Sequence, residues 1–183
     1  MPLILASASP RRHALLSSAG VSFTVSPADV DESIHPGEAP AAYAQRVALE
    51  KAQRGDADAA VLAADTVVEL DGAVLGKPAD HAEAAGTLRR LSGRVHRVHT
   101  AVVLRAGGAI TRMLITSEVQ FRPLSDAEIA AYVATGEPSD KAGAYGIQGA
   151  GMGLVHAVRG SYTNVIGLPL AETLALLEQA GLR

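Results

Sequence analysis

Two small hydroxyl side chains and two arginines stand together near the start of the chain, in Ser7-Ala8-Ser9-Pro10-Arg11-Arg12. The apolar run before them is typical of a buried strand, and a serine followed by proline is a typical helix start. A strand that feeds a capped helix brings backbone N–H groups and the positive end of the helix dipole to one point, and guanidinium groups fit phosphate oxygens. The segment predicts a phosphate site made of its two serines and two arginines; the alternative is an ordinary helix cap with two solvated arginines.

An aspartate interrupts the apolar strand pattern between Ala60 and Leu70. Burying an unpaired carboxylate is expensive, so Asp65 needs a metal, a lysine or a position at the end of the strand. Lys51, late in a predicted helix, and Lys77, between a glycine and a proline, are its natural partners. We therefore predict a functional Asp65 with Lys51 and Lys77 near it. Taken by itself, Lys51 is also explained by its place near a helix C-terminus, where a positive charge is favourable.

Two further segments carry groups suited to a nucleotide. Asp31 and Glu32, in an acidic loop, supply oxygen atoms of the kind that Mg²⁺ takes together with phosphates and water, unless the loop is merely solvated. The glycine-rich stretch 136–149 permits close approach of its backbone to a ligand. Its Gln148 can both donate to and accept from the edge of uracil or thymine, which makes it a candidate base reader.

The elements that must position these residues follow from periodicity and caps. Strands are predicted at 3–6, 21–26, 60–70, 73–75, 95–104, 110–121 and 154–158, and helices at 13–19, 40–54, 80–91, 125–134 and 169–179. Asp71-Gly72 predicts a hairpin turn, and the glycines at 107 and 108 join the two longest later strands. Intermixed strands and helices with central hairpins indicate an α/β fold with a mixed sheet, as one domain over residues 1–183.

Composition excludes several classes of function. The chain has 16 basic and 19 acidic residues and a net charge of −3, which argues against a nucleic-acid or acidic-membrane binder but allows a local basic pocket. It has no cysteine, so disulfides, thiolate metal sites and thiol catalysis are excluded. The start of the chain lacks the order of a signal peptide, and no apolar run approaches the roughly 18 residues of a membrane span. We expect a cytoplasmic protein.

Taken together, the motifs resemble the Maf family of nucleotide pyrophosphatases nearly end to end. Besides the segments above, the resemblance rests on Ala64-Asp65-Thr66-Val67-Val68, Gly76-Lys77-Pro78, Ser92-Gly93, His96, Thr100-Ala101-Val102, Gly146-Ile147-Gln148-Gly149 and Gly160-Ser161-Tyr162-Thr163-Asn164-Val165-Ile166-Gly167-Leu168-Pro169. It implies a Maf/ITPase-like fold, in which helices flank an elongated, twisted mixed sheet.

The resemblance also implies an activity and a distribution of roles. Members of the family release pyrophosphate from a nucleoside triphosphate with the help of a divalent metal, Mg²⁺ or Mn²⁺. The family's proton acceptor falls on Asp65, and its specificity positions fall on Arg12, Thr66 and Gln148. We expect Glu32 and Asp65 to hold the metal. The remaining cations and the serines are expected to bind phosphates: Ser7, Ser9, Arg11, Arg12, Lys51 and Lys77.

The loop 140–149 resembles the branch of the family that acts on dTTP and UTP, rather than the branch that acts on 7-methyl-GTP. The resemblance further implies a homodimer. A different hypothesis is a nucleotide-binding regulator of cell division without catalysis, since the family has been linked to septum arrest. The joint presence of Asp65, Lys77 and both arginines argues against such an inactive site, and a nucleic-acid-binding role ranks third.

Overall fold

Within residues 1–56 and 58–183, which the computed structural model of the protein describes, seven strands form one mixed sheet. The strands are β1 (Leu3–Leu5), β2 (Thr24–Val25), β3 (Ala60–Leu70), β4 (Ala73–Leu75), β5 (Val95–Ala106), β6 (Ala109–Phe121) and β7 (Val155–Arg159). The flanking helices are α1 (Pro10–Ser18), α2 (Pro40–Gln53), α3 (His81–Leu91), α4 (Asp126–Ala134), α5 (Tyr162–Ile166) and α6 (Leu170–Gln179). The strand order is β2-β1-β3-β5-β6-β7, and β4 pairs with β3.

Strand β3 is the centre of the sheet, and its two edges differ. One edge pairs antiparallel with β5 along residues 61–69. The other edge pairs in parallel with β1 at 60–62 and antiparallel with β4 at 68–70. Among the described residues, no strand pairs with residues 63–67 on that second edge. The sheet therefore has a gap beside the middle of β3.

The two faces of β3 carry different helices because side chains alternate along a strand. Ala63 and Val67 belong to a core with Ala44, Ala48 and Ala52 of α2. The small side chains on both surfaces let α2 pack closely on the strand. Residues of the opposite face pack with α1 and α6 in a second core, represented by Leu62, Leu16 and Leu177. Residue 65 thus faces the α2 side of the sheet and residue 66 faces the α1 side.

The predicted α/β fold with a mixed sheet is confirmed, and most element boundaries agree to within two residues. Asp71 and Gly72 have φ angles of 54° and 79° and form the predicted hairpin turn. The strand predicted at 21–26 is reduced to Thr24–Val25, and the helix predicted at 13–19 begins three residues earlier, at Pro10. The short helix α5 was not predicted. Three short 3₁₀ turns, Glu137–Asp140, Ala142–Ala144 and Gly149–Leu154, lie in this glycine-rich stretch, so it is folded rather than a plain loop.

A buried histidine predicts a loss of stability in acid. The ring of His96 packs edge to face with Phe121 and Tyr145, and Nε2 lies 2.8 Å from the Tyr145 hydroxyl, while buried Nδ1 has no partner among the described residues. Burial lowers the pKa of His96 from 6.5 to about 4. The unfolded chain therefore binds a proton near pH 6.5 that the folded protein takes up only near pH 4, so stability falls as the pH falls through this window.

We expect the free energy of unfolding to drop by up to about 3 kcal/mol from this group between those pH values. His96→Gln should flatten the pH dependence of urea unfolding in that range, because glutamine does not titrate. His156→Gln, at an exposed position of β7, is the control and should leave the dependence unchanged. An equal slope in the wild type and His96→Gln would contradict the assignment.

Candidate active site

The gap beside β3 opens into a cleft of about 570 Å³. Apart from Asp31, the residues predicted for phosphate binding, metal binding or base recognition all line it: Ser7, Ser9, Arg11, Arg12, Glu32, Lys51, Asp65, Thr66, Lys77 and Gln148. Among the described residues, the charged groups of its wall are five cations and three carboxylates, namely Arg11, Arg12, Lys51, Lys77, Lys141, Glu32, Asp65 and Asp140. The cleft is thus positive although the chain is acidic, as a site for a small polyanion requires.

Asp65 lies in the middle of β3, only 8% exposed, with its carboxylate beside a buried lysine. Its Oδ1 is 2.9 Å from Lys51 Nζ, and the same nitrogen is 2.7 Å from Oε1 of Glu32. Burial raises the pKa of Asp65, and the charges of Lys51 and Arg12 oppose that rise. The strand-end alternative for Asp65 is therefore wrong, and Lys51 is the partner that makes its burial possible.

Arg12 is buried in the wall of the cleft and is held by three acceptors. Its Nε donates to the carbonyl of Gly167 at 2.8 Å, Nη1 to Ser7 Oγ at 3.0 Å and Nη2 to Thr66 Oγ1 at 3.0 Å. Burial lowers the pKa of Arg12, and the negative charge of Asp65 acts in the other direction. Since a guanidinium has five N–H donors, two remain for a ligand.

The hydroxyls of Ser7 and Ser9 also accept hydrogen bonds that stabilise the start of α1. Ser9 is the N-cap of α1, where its hydroxyl accepts a hydrogen bond from the backbone N–H of Arg12 at 3.5 Å. Ser7 Oγ accepts from the backbone N–H of Ser9 at 3.3 Å in addition to the Arg12 side chain. The helix-cap alternative for this segment is therefore correct for Ser9. Both hydroxyls keep their own proton to donate, because these contacts use them as acceptors.

Two other cleft predictions need correction. Lys77 is exposed in the wall of the cleft, and no ion pair joins it to Asp65 in the part of the chain that the structure describes. Its predicted pairing with Asp65 is wrong, because Lys51 occupies that position. Asp31 is exposed outside the cleft wall, where hydrogen bonds from Ser33 lower the pKa of its carboxyl. Of the acidic pair, only Glu32 reaches the site.

Sequence reasoning missed the residues that hold Thr66 and Arg12, two of the predicted specificity side chains, in place. Thr66 Oγ1 lies 2.9 Å from Thr100 Oγ1 on the neighbouring strand, and Thr100 donates to the carbonyl of Asn164 at 3.1 Å. Asn164 is fully buried in α5 and donates to the carbonyl of Val98 at 3.0 Å. This hydrogen-bond chain fixes α5 and the following Gly167, which anchors Arg12. The serine N-cap of α5 was the available signal in the sequence.

Gln148 stands exposed at the mouth of the cleft, next to an apolar part of the wall. That part contains Tyr145, Ile147 and Ile166, and it suits the faces of a planar base. Tyr43, which the sequence did not single out, also lines the cleft, and its hydroxyl donates to the carbonyl of Glu32 at 2.8 Å. The cleft therefore has a charged end at Asp65 and an apolar end at Gln148.

In the described part of the chain, no helix has the length and apolarity to cross a membrane. The fold and the cleft together define an α/β protein that binds a phosphorylated small molecule beside a buried carboxylate. A family model described as Maf-like protein matches residues 2–180, and the chain belongs to the Maf family.

Several relatives resemble the chain over almost its whole length. A protein of Anaeromyxobacter dehalogenans is 55% identical over 183 residues, covering 98% of this chain and 94% of the relative. A protein of Myxococcus xanthus is 54% identical over 183 residues, covering 98% of this chain and 93% of the relative. A protein of Aromatoleum aromaticum is 50% identical over 196 residues, covering 98% of this chain and 95% of the relative. Each of the three relatives carries the name dTTP/UTP pyrophosphatase.

Proposed function

We propose that the protein hydrolyses dTTP and UTP to the nucleoside monophosphate and pyrophosphate. The observation that carries the proposal is the buried carboxylate of Asp65, 2.9 Å from Lys51, in a positive cleft that Arg12 also lines. The names of the relatives support the choice of substrate. A cleft of about 570 Å³ has the size of a site for a small ligand such as a nucleotide.

In this mechanism a water molecule attacks the α-phosphorus, and pyrophosphate leaves with the electrons of the broken P–O bond. The carboxylate of Asp65 accepts the proton of the attacking water, which completes the monophosphate. Negative charge develops on the α-phosphate oxygens and on the leaving group, so preorganised cations lower the barrier most. Arg12 is fixed by three hydrogen bonds before substrate arrives, and therefore needs little reorganisation.

The donor set of the cleft fits a divalent metal. Glu32 and Asp65 come from different elements, yet both carboxylates contact the same nitrogen of Lys51. Groups that converge on one cation can converge on another, and Mg²⁺ commonly takes one or two carboxylates together with substrate phosphates and water. No cluster of three or more metal-binding side chains occurs among the described residues, so phosphate oxygens would complete the shell. When bound, Mg²⁺ or Mn²⁺ would supply positive charge to the phosphate oxygens.

The remaining roles follow the position of each group. Arg11 and Lys77 line the cleft at less buried positions and would bind the β- and γ-phosphates. Ser7 and Ser9 would donate their free hydroxyl protons to phosphate oxygens. Thr66 and Gln148 would determine which base is accepted. Thr66 would do so by holding Arg12. The homodimer, the cytoplasmic location and the single domain over residues 1–183 stay predictions.

Product analysis tests the proposed function. Purified protein with Mg²⁺ or Mn²⁺ and dTTP should give dTMP and pyrophosphate in equal amounts, measured by anion-exchange chromatography. A panel with UTP, CTP, GTP and 7-methyl-GTP under the same conditions should show the highest kcat/KM for dTTP and UTP. Orthophosphate and dTDP as products would contradict attack at the α-phosphorus. Tight dTTP binding without turnover would favour the nucleotide-binding regulator.

A further inference from the structure

Glu137, outside the cleft wall, receives several hydrogen bonds from the segment that carries Gln148. Its Oε2 accepts from the backbone N–H of Ala150 at 3.0 Å, and its Oε1 accepts from the backbone N–H of Gly151 at 3.1 Å. The hydroxyl of Tyr132 also donates to Oε1, at 2.8 Å. One carboxylate thus organises the segment on the C-terminal side of Gln148.

Tyr132 extends this contact to the other side of Gln148. The backbone N–H of Gly146 donates to the Tyr132 hydroxyl oxygen at 3.1 Å. Tyr132 lies on α4 and is only 5% exposed, so the acceptor is held in a rigid position. Residues 147–149 are therefore bracketed by two anchored backbone positions, Gly146 and Ala150, that share the Tyr132–Glu137 pair.

Two glycines of the loop, Gly149 and Gly151, pack closely against Glu137 and the backbone of Gly146. A Cβ at Gly149 would lie 2.7 Å from Glu137 Oε2, and one at Gly151 would lie 2.0 Å from the carbonyl oxygen of Gly146. Gly149 also has a φ of 73°, in the left-handed region. The loop is thus wrapped closely on the carboxylate, which makes its conformation depend on that group.

Gln148 itself has no side-chain hydrogen bond to another described residue. The backbone of residues 146–150, held at Gly146 and Ala150, therefore sets the place from which the Gln148 side chain leaves the loop. A base reader needs its donor and acceptor fixed in advance, because a misplaced amide loses binding energy to reorganisation. The carboxylate that fixes this backbone is therefore in a position to affect base recognition without contacting the base.

We propose that Glu137, with Tyr132, is the positioning residue for base recognition: it fixes the loop that presents Gln148 to the pyrimidine. The inference rests on the proposed function and extends it to residues that contact neither substrate nor metal. Loss of the Glu137 carboxylate should weaken binding of the nucleobase end and spare the phosphate end of the cleft.

The experiment compares Glu137→Ala, Tyr132→Phe, Gln148→Ala and the double variant Glu137→Ala/Gln148→Ala. Steady-state kinetics with dTTP give KM and kcat, and competitive inhibition by inorganic triphosphate, which has no base, reports the phosphate end alone. Glu137→Ala should raise KM about 10-fold with kcat nearly unchanged, the effect of losing about one good hydrogen bond. Tyr132→Phe should change KM in the same direction by a smaller factor. Inhibition by triphosphate should remain at the wild-type value in both.

The double variant is the decisive measurement. If Glu137 acts through Gln148, the double variant should have nearly the same KM as Gln148→Ala, since the two effects are not additive. Glu128→Ala is the matched control: this carboxylate also accepts a backbone N–H, from Ser125 at 2.8 Å, but lies outside the cleft wall. It should lower thermal stability without changing KM.

Two outcomes would overturn the proposal. If the KM increases of the two single variants multiply in the double variant, Glu137 does not act through Gln148. Equal weakening of triphosphate inhibition would mean a general collapse of the cleft. Wild-type protein that releases no pyrophosphate would instead contradict the proposed function. In that case calorimetric binding of dTTP and inorganic triphosphate to the same variants still tests the positioning role.

Discussion

Replacing Asp65 with asparagine should lower kcat for pyrophosphate release from dTTP by about 100- to 10,000-fold, the contribution typical of a positioned general base. The amide of asparagine has nearly the shape of the carboxylate but cannot accept the proton of water at neutral pH. Because burial already disfavours the charged form of Asp65, the neutral amide should be tolerated by the fold. Initial rates with saturating dTTP and Mg²⁺ measure the effect, and circular dichroism confirms that the variant is folded.

Asp71→Asn is the control for the same chemical change at a different place. Asp71 lies in the exposed β3–β4 turn with a φ of 54°, a conformation that asparagine adopts readily. That variant should keep wild-type activity. A loss of less than about tenfold in Asp65→Asn would remove Asp65 from the role of base, because even a weak general base contributes more.

A second measurement on Asp65→Asn distinguishes two roles of the carboxylate, proton acceptor and metal ligand. If the carboxylate mainly holds the metal, the variant should bind Mn²⁺ and dTTP together much more weakly, as detected by electron paramagnetic resonance of the ion. If the carboxylate mainly accepts a proton, Mn²⁺ should bind almost as in the wild type while turnover is lost. Glu32→Gln provides the comparison, because Glu32 shares Lys51 with Asp65 and has no role as a base in the proposed mechanism.

Much of the fold was visible in the sequence because its signals are local. Ser9 and Pro10 mark the start of α1, and the hydroxyl of Ser9 does cap it. The pair Ser125 and Glu128 predicts the start of α4, where both hydrogen bonds of a capping box form. A turn at Asp71 closes the β3–β4 hairpin. Caps and turns depend on residues three or four apart, so the chain encodes them without reference to the rest of the fold.

The partners within the cleft could not be predicted from local signals. Lys51 and Lys77 are similarly placed candidates in the sequence, 14 residues before and 12 after Asp65. The close packing of alanine-rich α2 on β3 selects Lys51. The gap beside residues 63–67 likewise depends on where β1 and β4 end along the same edge of β3. Sequence alone gives the chemical groups of the site, whereas tertiary packing decides which of them touch.

Substituting Arg12 with lysine is expected to lower kcat/KM for dTTP by about 100- to 1,000-fold, the range seen when a preorganised transition-state donor is removed. Because lysine keeps the positive charge, the loss of activity would come from the missing hydrogen-bond geometry of the guanidinium. Lysine cannot donate at once to Ser7, Thr66 and Gly167, which lie around the guanidinium at 2.8–3.0 Å, and still reach a phosphate. The measurement is kcat/KM at several salt concentrations with the fold checked by thermal unfolding.

Arg11→Lys is the matched control, since Arg11 is the neighbouring arginine of the same motif and lines the same cleft. Its side chain is one-third exposed and, among the described residues, makes one long ion pair, 3.5 Å to Asp140. Lysine can take over a loose, solvent-screened charge of this kind, so its loss should be no more than about tenfold. Equal losses at the two positions would show that the cleft needs only positive charge. A much larger loss at Arg12 would instead show that the three acceptors, and the α5 segment behind them, make this arginine a fixed donor at the reacting phosphate.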